Sequence, residues 1–275
     1  MISVVLTSRN DNYGDSLKHR AFLSLQNFIT RYDEVVYVDW NSEGESLLEG
    51  LKRLLSFRGN LKHIIVSSTD ISQIIPSLSV PFTDVLGRNI GIRRASHDFM
   101  LSSNIDIIAG YPSCVLKNGV VYTAARRNVP QEVYAGSQDP VAMGDALMTD
   151  YMSIPTAPDS VDIGGNAIWD PGDNFSLVVC GGDYQVAHKD VWHRIRGFEE
   201  SMIYRGYADS NLMRKGQIYF HNEKIYVPIF HLNHTSNSMA VHQMNSQQEY
   251  GHLFQGTRNS DTWGFSSYAF KTEVL

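Results

Sequence analysis

The stretch Asn89-Ile90-Gly91-Ile92-Arg93-Arg94-Ala95, then two residues, then Asp98-Phe99-Met100-Leu101-Ser102-Ser103-Asn104-Ile105-Asp106 opens as a helix, passes into a strand over 98–101 and ends on a polar turn. The same alternation runs upstream of it. Residues 2–6 are an unbroken apolar run of strand type, 16–29 place Leu17, Ala21, Leu25 and Phe28 on one helical face, and 35–38 read as a second strand. A second helix is expected over 47–55 and a third strand over 64–66. Strands separated by helical crossovers specify an α/β fold with a mostly parallel central sheet. In such sheets ligands bind beyond the carboxyl ends of the strands. The residues there are polar: Thr7, Ser8, Arg9 and Asn10 after the first strand, Asp39, Trp40 and Asn41 after the second, Asn104 and Asp106 after the fourth.

Downstream, 128–173 is rich in Pro, Gly, Asp and Met and reads as long loops. A strand at 176–179 leads into Gly181-Gly182-Asp183, a helix follows from about residue 189, and 225–230 is the last clear strand. Beyond His234 the chain turns polar, with Gly251, Gly256 and Gly264 spaced through it, a pattern that suits a mobile tail or lid over 239–268. A single domain is expected over 1–275, with a nucleotide-binding half at 1–106, an acceptor-binding half at 107–236 and a tail at 237–275.

Composition removes several classes of function. At 275 residues, 43% hydrophobic and 19% charged, the chain is large enough for a self-sufficient core. Lys plus Arg total 23 against 29 Asp plus Glu, a formal charge of -6, which disfavours a nucleic-acid partner. Cys114 and Cys180 allow at most one bridge, so neither a disulfide framework nor a four-sulfur zinc site is available. No apolar stretch approaches the roughly 20 residues that span a bilayer. The first residues carry no basic lead-in or cleavage site, and a cytoplasmic enzyme or binding protein is expected. No Gly-x-Gly-x-x-Gly follows the first strand and no P-loop Lys appears, which withdraws the usual warrants for hydride transfer and nucleoside-triphosphate hydrolysis.

The segment 89–106 resembles the part of GT-A type glycosyltransferases in which a helix beginning Asn-x-Gly leads into a strand ending in Asp-x-Asp. In those enzymes the acidic turn holds a divalent metal on the donor diphosphate. Here the first Asp is Asn104, which removes one negative charge; an amide carbonyl can still ligate a hard cation, but more weakly. On charge alone, Asn104→Asp should preserve or tighten metal-assisted binding. A second match is Gly181-Gly182-Asp183, Arg196-Gly197-Phe198-Glu199-Glu200 and Arg205-Gly206-Tyr207-Ala208-Asp209, which looks like the acceptor half of the same enzymes, where the last Asp is the catalytic base. A third is Val227-Pro228 leading to His231-Leu232-Asn233-His234, similar to the strand that ends in a metal-binding His. Ser8 to Asp11, Val38 to Asn41, Asn89 to Ala95 and Ser103 to Asp106, with Asn259, Trp263 and Gly264, also resemble a little-characterised GT-A-like group that itself carries Asn-Ile-Asp.

The resemblance implies an inverting transfer of a sugar from a nucleotide-diphosphate donor, UDP before GDP, to the hydroxyl of a glycan or other acceptor, assisted by Mn2+ or Mg2+. It implies Asp209 as base, Asp106, His234 and Asn104 toward the metal, Asn89 and Arg93 in donor binding, and Gly182, Asp183 and Tyr207 on the acceptor side. Read directly, Asp39 can accept from a uracil imide or a ribose hydroxyl, Thr7 and Arg9 flank base and diphosphate, and Trp263 covers the bound donor as part of the lid. Arg93 and Arg94 occupy opposite helix faces, so at most one faces the crevice. The plainer alternatives are that Asn104 and Asp106 cap a turn, Asp39 and Asp209 cap helices or turns, His231 packs in the core and Trp263 is core packing. At the level of function the alternatives are a nucleotidyltransferase, disfavoured because 8–15 contains only Gly14, and a non-catalytic carbohydrate- or nucleotide-binding protein, disfavoured by Asp39, Asp106 and Asp209.

Overall fold

Ile2–Ser8 (β1) and Glu34–Trp40 (β2) pair in parallel, with Val4 opposite Val35 and Ser8 level with Asp39 at the carboxyl end. Ile2, Val4, Leu6, Val35 and Tyr37 enter one core, while Val5, Val36, Val38 and Trp40 enter the other. Burial on both faces is why these strands read as apolar runs and not as alternation. The computed structural model describes residues 1–42, 44–124, 126–150, 182–203, 208–235 and 256–275. Leu61–Val66 (β3) continues the parallel sheet beside β2, and Phe99–Ser102 (β4) continues it beside β1. Past β4 the sheet turns mixed through Gln185–His188 (β8), Val120–Thr123 (β6) and His221–Lys224 (β9), and Lys271–Val274 (β11) closes the opposite edge antiparallel to β3. The order across the eight strands is β11-β3-β2-β1-β4-β8-β6-β9. A second sheet of three short strands, Ile107–Ala109 (β5), Arg127–Val129 (β7) and Ile229–Leu232 (β10), runs in the order β5-β10-β7.

Helix Leu17–Arg31 (α1) lies on the first core, with Leu17, Ala21, Leu25 and Phe28 buried as their spacing predicts. Each large side chain there contributes roughly 1.5–3 kcal/mol by leaving water. Helix Asp84–Arg94 (α3) lies on the second core. Gly87 and Gly91, one turn apart, face the sheet, and a Cβ on either would collide with Thr7 or Val5. The glycine of the Asn-x-Gly run is therefore a contact surface that seats the helix directly on β1. Ser68–Ile74 (α2), Gln131–Tyr134 (α4), Pro140–Thr149 (α5), Lys189–Ile195 (α6) and Ala208–Tyr219 (α7) complete the described helices. Among the described residues no helix is long and apolar enough to cross a membrane.

Several elements depart from the sequence reading. The helix expected over 47–55 is only a 3-10 turn at Glu49–Leu51 flanked by turns, although Leu47, Leu48, Leu51 and Leu55 are buried. Gly50 sits at its centre, and glycine inside a helix costs about 1 kcal/mol relative to alanine. α3 starts at Asp84, five residues before the expected opening at 89. The loop region from 128 holds β7, α4 and α5, with Asp139 capping α5 through the amides of Val141 and Ala142. The strand expected at 225–230 begins only at Ile229, and β11 follows it as a further strand. The expected strand at 176–179, Cys180, Gly181 and Tyr207, and much of the proposed lid lie outside the described residues.

Candidate functional site

The cleft opens at the carboxyl ends of β1 and β4, where Thr7, Ser8 and Arg9 face Asn104, Asp106, His231 and His234. The small sheet assembles its floor. Asp106 precedes β5, its carbonyl accepts the amide of Leu232 at 3.0 Å, and the β10 register puts His231 between Ile107 and Asn128. Asp106 Oδ2 then lies 3.2 Å from His234 Nε2 and 3.7 Å from His231 Nε2.

The protonation chemistry of this cluster is constrained. His234 Nδ1 lies 3.0 Å from the Thr235 carbonyl, which can only accept, so Nδ1 carries a proton and Nε2 is the atom that faces Asp106. Two acceptors face each other there unless a proton or a cation lies between them. His231 Nδ1 pairs with Asn128 Oδ1 at 3.0 Å, the outer hydrogen bond that orients a metal-binding imidazole. Burial pushes His231 down to about 4, which keeps it neutral and its Nε2 available. Burial alone would raise Asp106, but at the acid pH where it would take up a proton His231 is itself charged, and His231, His234 and Arg20 together hold it well below the usual carboxylate range. The ligand atoms of Asp106, His231 and His234 all lie within 4.8 Å of one another, and one carboxylate with two imidazoles is a donor set that fits a divalent transition ion.

A turn at 12–16 supports this cluster, and the sequence reading missed it. Asn12, Gly14, Asp15 and Ser16 all have positive φ, between 51° and 68°, a conformation that costs non-glycine residues about 1 kcal/mol or more each. Arg20, fully buried on α1, holds the turn by donating to the carbonyls of Tyr13 at 2.6 Å and Gly14 at 3.1 Å and to that of Asp15. Its Nε lies 3.9 Å from Asp106 Oδ2. Gly14 faces the His234 ring so closely that any side chain would overlap it, and Tyr13 meets the same ring edge-on at 5.1 Å. The available signal was a charge, Arg20, placed among the apolar positions 17, 21, 25 and 28.

Asn104 lines the cleft, yet both ends of its amide are engaged: Oδ1 accepts from Arg88 and Nδ2 donates to Asp183. Asp183 also takes Arg126. Arg88 reaches the Gly182 carbonyl at 3.1 Å, and the Gly182 amide donates to Asp209 Oδ2 at 3.1 Å. Asp209 sits in the first turn of α7, where burial raises its pKa, Asp183 raises it further and Arg88 opposes. A carboxylate with a raised pKa is a suitable proton acceptor; Asp209 does not itself line the cleft and is linked to it through Gly182, Arg88 and Asn104. Neighbouring acids are tied to packing: Glu199 accepts from Thr257 and faces Lys215 at 3.5 Å, and Glu200 holds Asn89 and the Gly264 amide.

At the β1 and β2 ends, Thr7 donates to the Val38 carbonyl at 3.1 Å and Arg9 Nε donates to the Asn41 carbonyl at 2.9 Å. Asp39 is buried and accepts from Ser42 at 2.5 Å, with its pKa pushed up to about 6 by burial. Three of the expected donor residues lie elsewhere. Asn89 fastens α3 to Phe198, whose amide it accepts at 2.8 Å and whose carbonyl it reaches at 2.9 Å. Arg93, nine residues beyond Asp84, is about 14 Å farther along the helix axis. Its guanidinium covers the ring of Trp263 at 5.0 Å, and Trp263, 1% exposed, packs in the second core. Arg94 donates to the carbonyls of Gly264, Phe265 and Tyr268, so both arginines hold the C-terminal segment and neither enters the cleft. A second cluster, Glu49, His63 and Glu273, is already engaged by Lys52, 2.5 Å from Glu49 and 3.0 Å from Glu273, and by Lys271, 3.2 Å from Glu273.

No protein-family model and no curated protein matches this sequence. Solved structures do. The mannosyltransferase PcManGT from Pyrobaculum calidifontis, in complex with GDP-Man and Mn2+, aligns over 97% of this chain and 68% of its own, with 12% identity and a TM-score of 0.52. S. aureus TarS 1-349 aligns over 84% of this chain with 12% identity and a TM-score of 0.46, and its complex with UDP gives 0.45. The chain spans about 60% of the length of TarS 1-349. The likeness to PcManGT is one of fold: a Rossmann-like α/β fold on a large, mostly parallel central sheet.

Proposed function

We propose that this protein is a glycosyltransferase that moves a sugar from a nucleotide-diphosphate donor, UDP before GDP, onto the hydroxyl of a glycan or similar acceptor, with inversion at the anomeric carbon. The observation that carries the reading is the convergence of Asp106, His231 and His234 beside the strand ends, with lone pairs that only a proton or cation can reconcile. These three residues would hold the ion, and two imidazoles favour Mn2+ over Mg2+. When bound, it supplies Lewis-acid neutralisation of the diphosphate. Arg9 donates to the phosphates, and Asp39 accepts from the uracil imide or a ribose hydroxyl. Asp209 takes the acceptor proton as the new bond to the anomeric carbon forms, and the bond to the diphosphate breaks with its electron pair leaving on the phosphate oxygen. The fold shared with a mannosyltransferase that binds GDP-Man and Mn2+ supports this chemistry.

The test is thermal denaturation across a panel of nucleotides and nucleotide sugars, with and without Mn2+. A ligand at 100 times its Kd adds about 2.7 kcal/mol of stability. UDP with Mn2+ should raise Tm by more than either alone. Absence of a shift with every nucleotide, in either condition, overturns the reading.

A further inference from the structure

Asn104 is the point where this chain departs from the Asp-x-Asp pattern, and the structure gives the departure a chemical reason. Its partners are of opposite kinds. Arg88 can only donate and the Asp183 carboxylate can only accept, so residue 104 must accept on one side and donate on the other. An amide does both. A carboxylate at 104 would satisfy Arg88 but face Asp183 with like charge.

The bridge has a destination. Arg88 Nη1 donates to Ser102 Oγ at 2.7 Å and to the Gly182 carbonyl at 3.1 Å, and its guanidinium rests 5.4 Å over the Phe198 ring. Ser103 Oγ donates to the Asp183 carbonyl at 2.6 Å, so two consecutive residues after β4 grip the turn before β8. That turn offers the Gly182 amide to Asp209 Oδ2, and Gln185 donates to the Asp209 carbonyl at 3.0 Å. We propose that Asn104 is a positioning residue whose amide joins Arg88 to Asp183 and so aims the Gly182 turn and Asp209, and that it is not a ligand of the cation. Its effect on turnover rests on the glycosyltransferase reading; the bridge itself does not. Restoring the common motif with Asn104→Asp therefore harms this chain, the reverse of what charge counting expects.

The decisive experiment is a double-mutant cycle on the metal-free protein, followed by thermal denaturation. Asn104→Asp should lower Tm by about 3–8 °C, the scale of a buried polar group set against the wrong partner. In an Asp183→Asn background the amide and carboxylate have exchanged places, so the same substitution should cost about 2 °C or less. Equal costs in both backgrounds overturn the bridge. A second measurement is Mn2+ affinity in the presence of UDP. Asn104→Ala should stay within about threefold of wild type while Asp106→Ala loses at least about tenfold; equal losses make Asn104 a ligand and overturn the proposal. On the donor identified by thermal shift, Asn104→Ala should lower kcat by about tenfold with KM within about threefold, and an unchanged kcat removes the positioning role. Failure of wild type to bind Mn2+ or UDP overturns the functional reading instead, and the thermal cycle still decides the bridge.

Discussion

Asp106 and Asn104 stand two residues apart in one turn, yet they belong to opposite kinds of polar cluster. Both ends of the Asn104 amide are matched, donor to acceptor, along the line Arg88, Asn104, Asp183 and Arg126. Around Asp106 the match depends on a proton or a cation, because His234 Nδ1 is committed to the Thr235 carbonyl while Nε2 faces the carboxylate at 3.2 Å. Matched clusters build structure and have no capacity left for a ligand. Mismatched ones are costly in isolation and are relieved by what binds.

Asp209 and Asp39 belong with the second kind, since burial raises each carboxyl although Asp39 accepts from Ser42 and Ser46 and Asp209 from the amides of Ser210 and Gly182. The largest effect should come from Asp209→Asn. The amide oxygen still accepts the Gly182 N–H, so the fold and donor binding should survive, while transfer falls by a factor on the order of 10² to 10⁴, the usual worth of a general base. Steady-state transfer assays check this; turnover within a few-fold of wild type would return Asp209 to the role of a helix-terminal cap. Asp106→Ala should come next, with Mn2+ affinity in the presence of UDP reduced on the order of 10²-fold, measured by calorimetry. An unchanged affinity would dissolve the distinction between the two clusters.

Groups that orient the mismatched cluster should produce intermediate effects. Asn128→Ala removes the partner of His231 Nδ1 and should weaken Mn2+ binding by about 10- to 100-fold, with little change in Tm. Arg20→Leu should affect both quantities, because the carbonyls of 13–15 lose their donor and Gly14 no longer has to stay against His234. If Arg20→Leu lowered Tm and left Mn2+ affinity within twofold, the turn would be scaffolding with no bearing on the ion.

What the sequence disclosed follows the same division. β1, β2 and α1 were legible because burial on both strand faces and on one helix stripe leaves a local pattern. The start of α3 was hidden because Gly87 and Gly91, poor helix formers, are there to touch the sheet. Asp106, His234 and Asp209 were named from motif resemblance, and the structure puts Asp106 and His234 in contact while drawing His231 into the same cluster. Arg88, Arg126 and Arg20 escaped notice. Arg88 reaches Gly182 across 94 residues and Arg126 reaches Asp183 across 57, and no local period encodes such pairs. Asn89, Arg93 and Trp263 were conspicuous, but Asn89 joins α3 to the turn at Phe198 and Glu200, and Arg93 with Trp263 joins it to the C-terminal segment, instead of lining the cleft.

The smallest effect, and the one that isolates charge from packing, concerns Asp39. Burial raises its pKa from 3.8 to about 6, partly offset by the Ser42 hydroxyl and reinforced by Glu49. A carboxyl raised in the folded state favours folding below its unfolded pKa, and that contribution is lost as pH rises through the folded value. Stability should therefore decline between about pH 4 and pH 7 by no more than about 3 kcal/mol from this group. Asp39→Asn removes the titration, so its stability should be the flatter function of pH and should exceed wild type at pH 7.5. Nucleotide binding moves the opposite way. Only the ionised carboxylate offers both oxygens as acceptors to an imide or ribose hydroxyl, so UDP affinity should rise as pH increases through about 6 and lose that dependence in Asp39→Asn. Denaturant unfolding and UDP titration at matched pH values measure both curves. If stability flattens in the variant but UDP affinity keeps its wild-type pH dependence, Asp39 is a strained turn residue and the nucleoside is recognised elsewhere along the β1 and β2 ends.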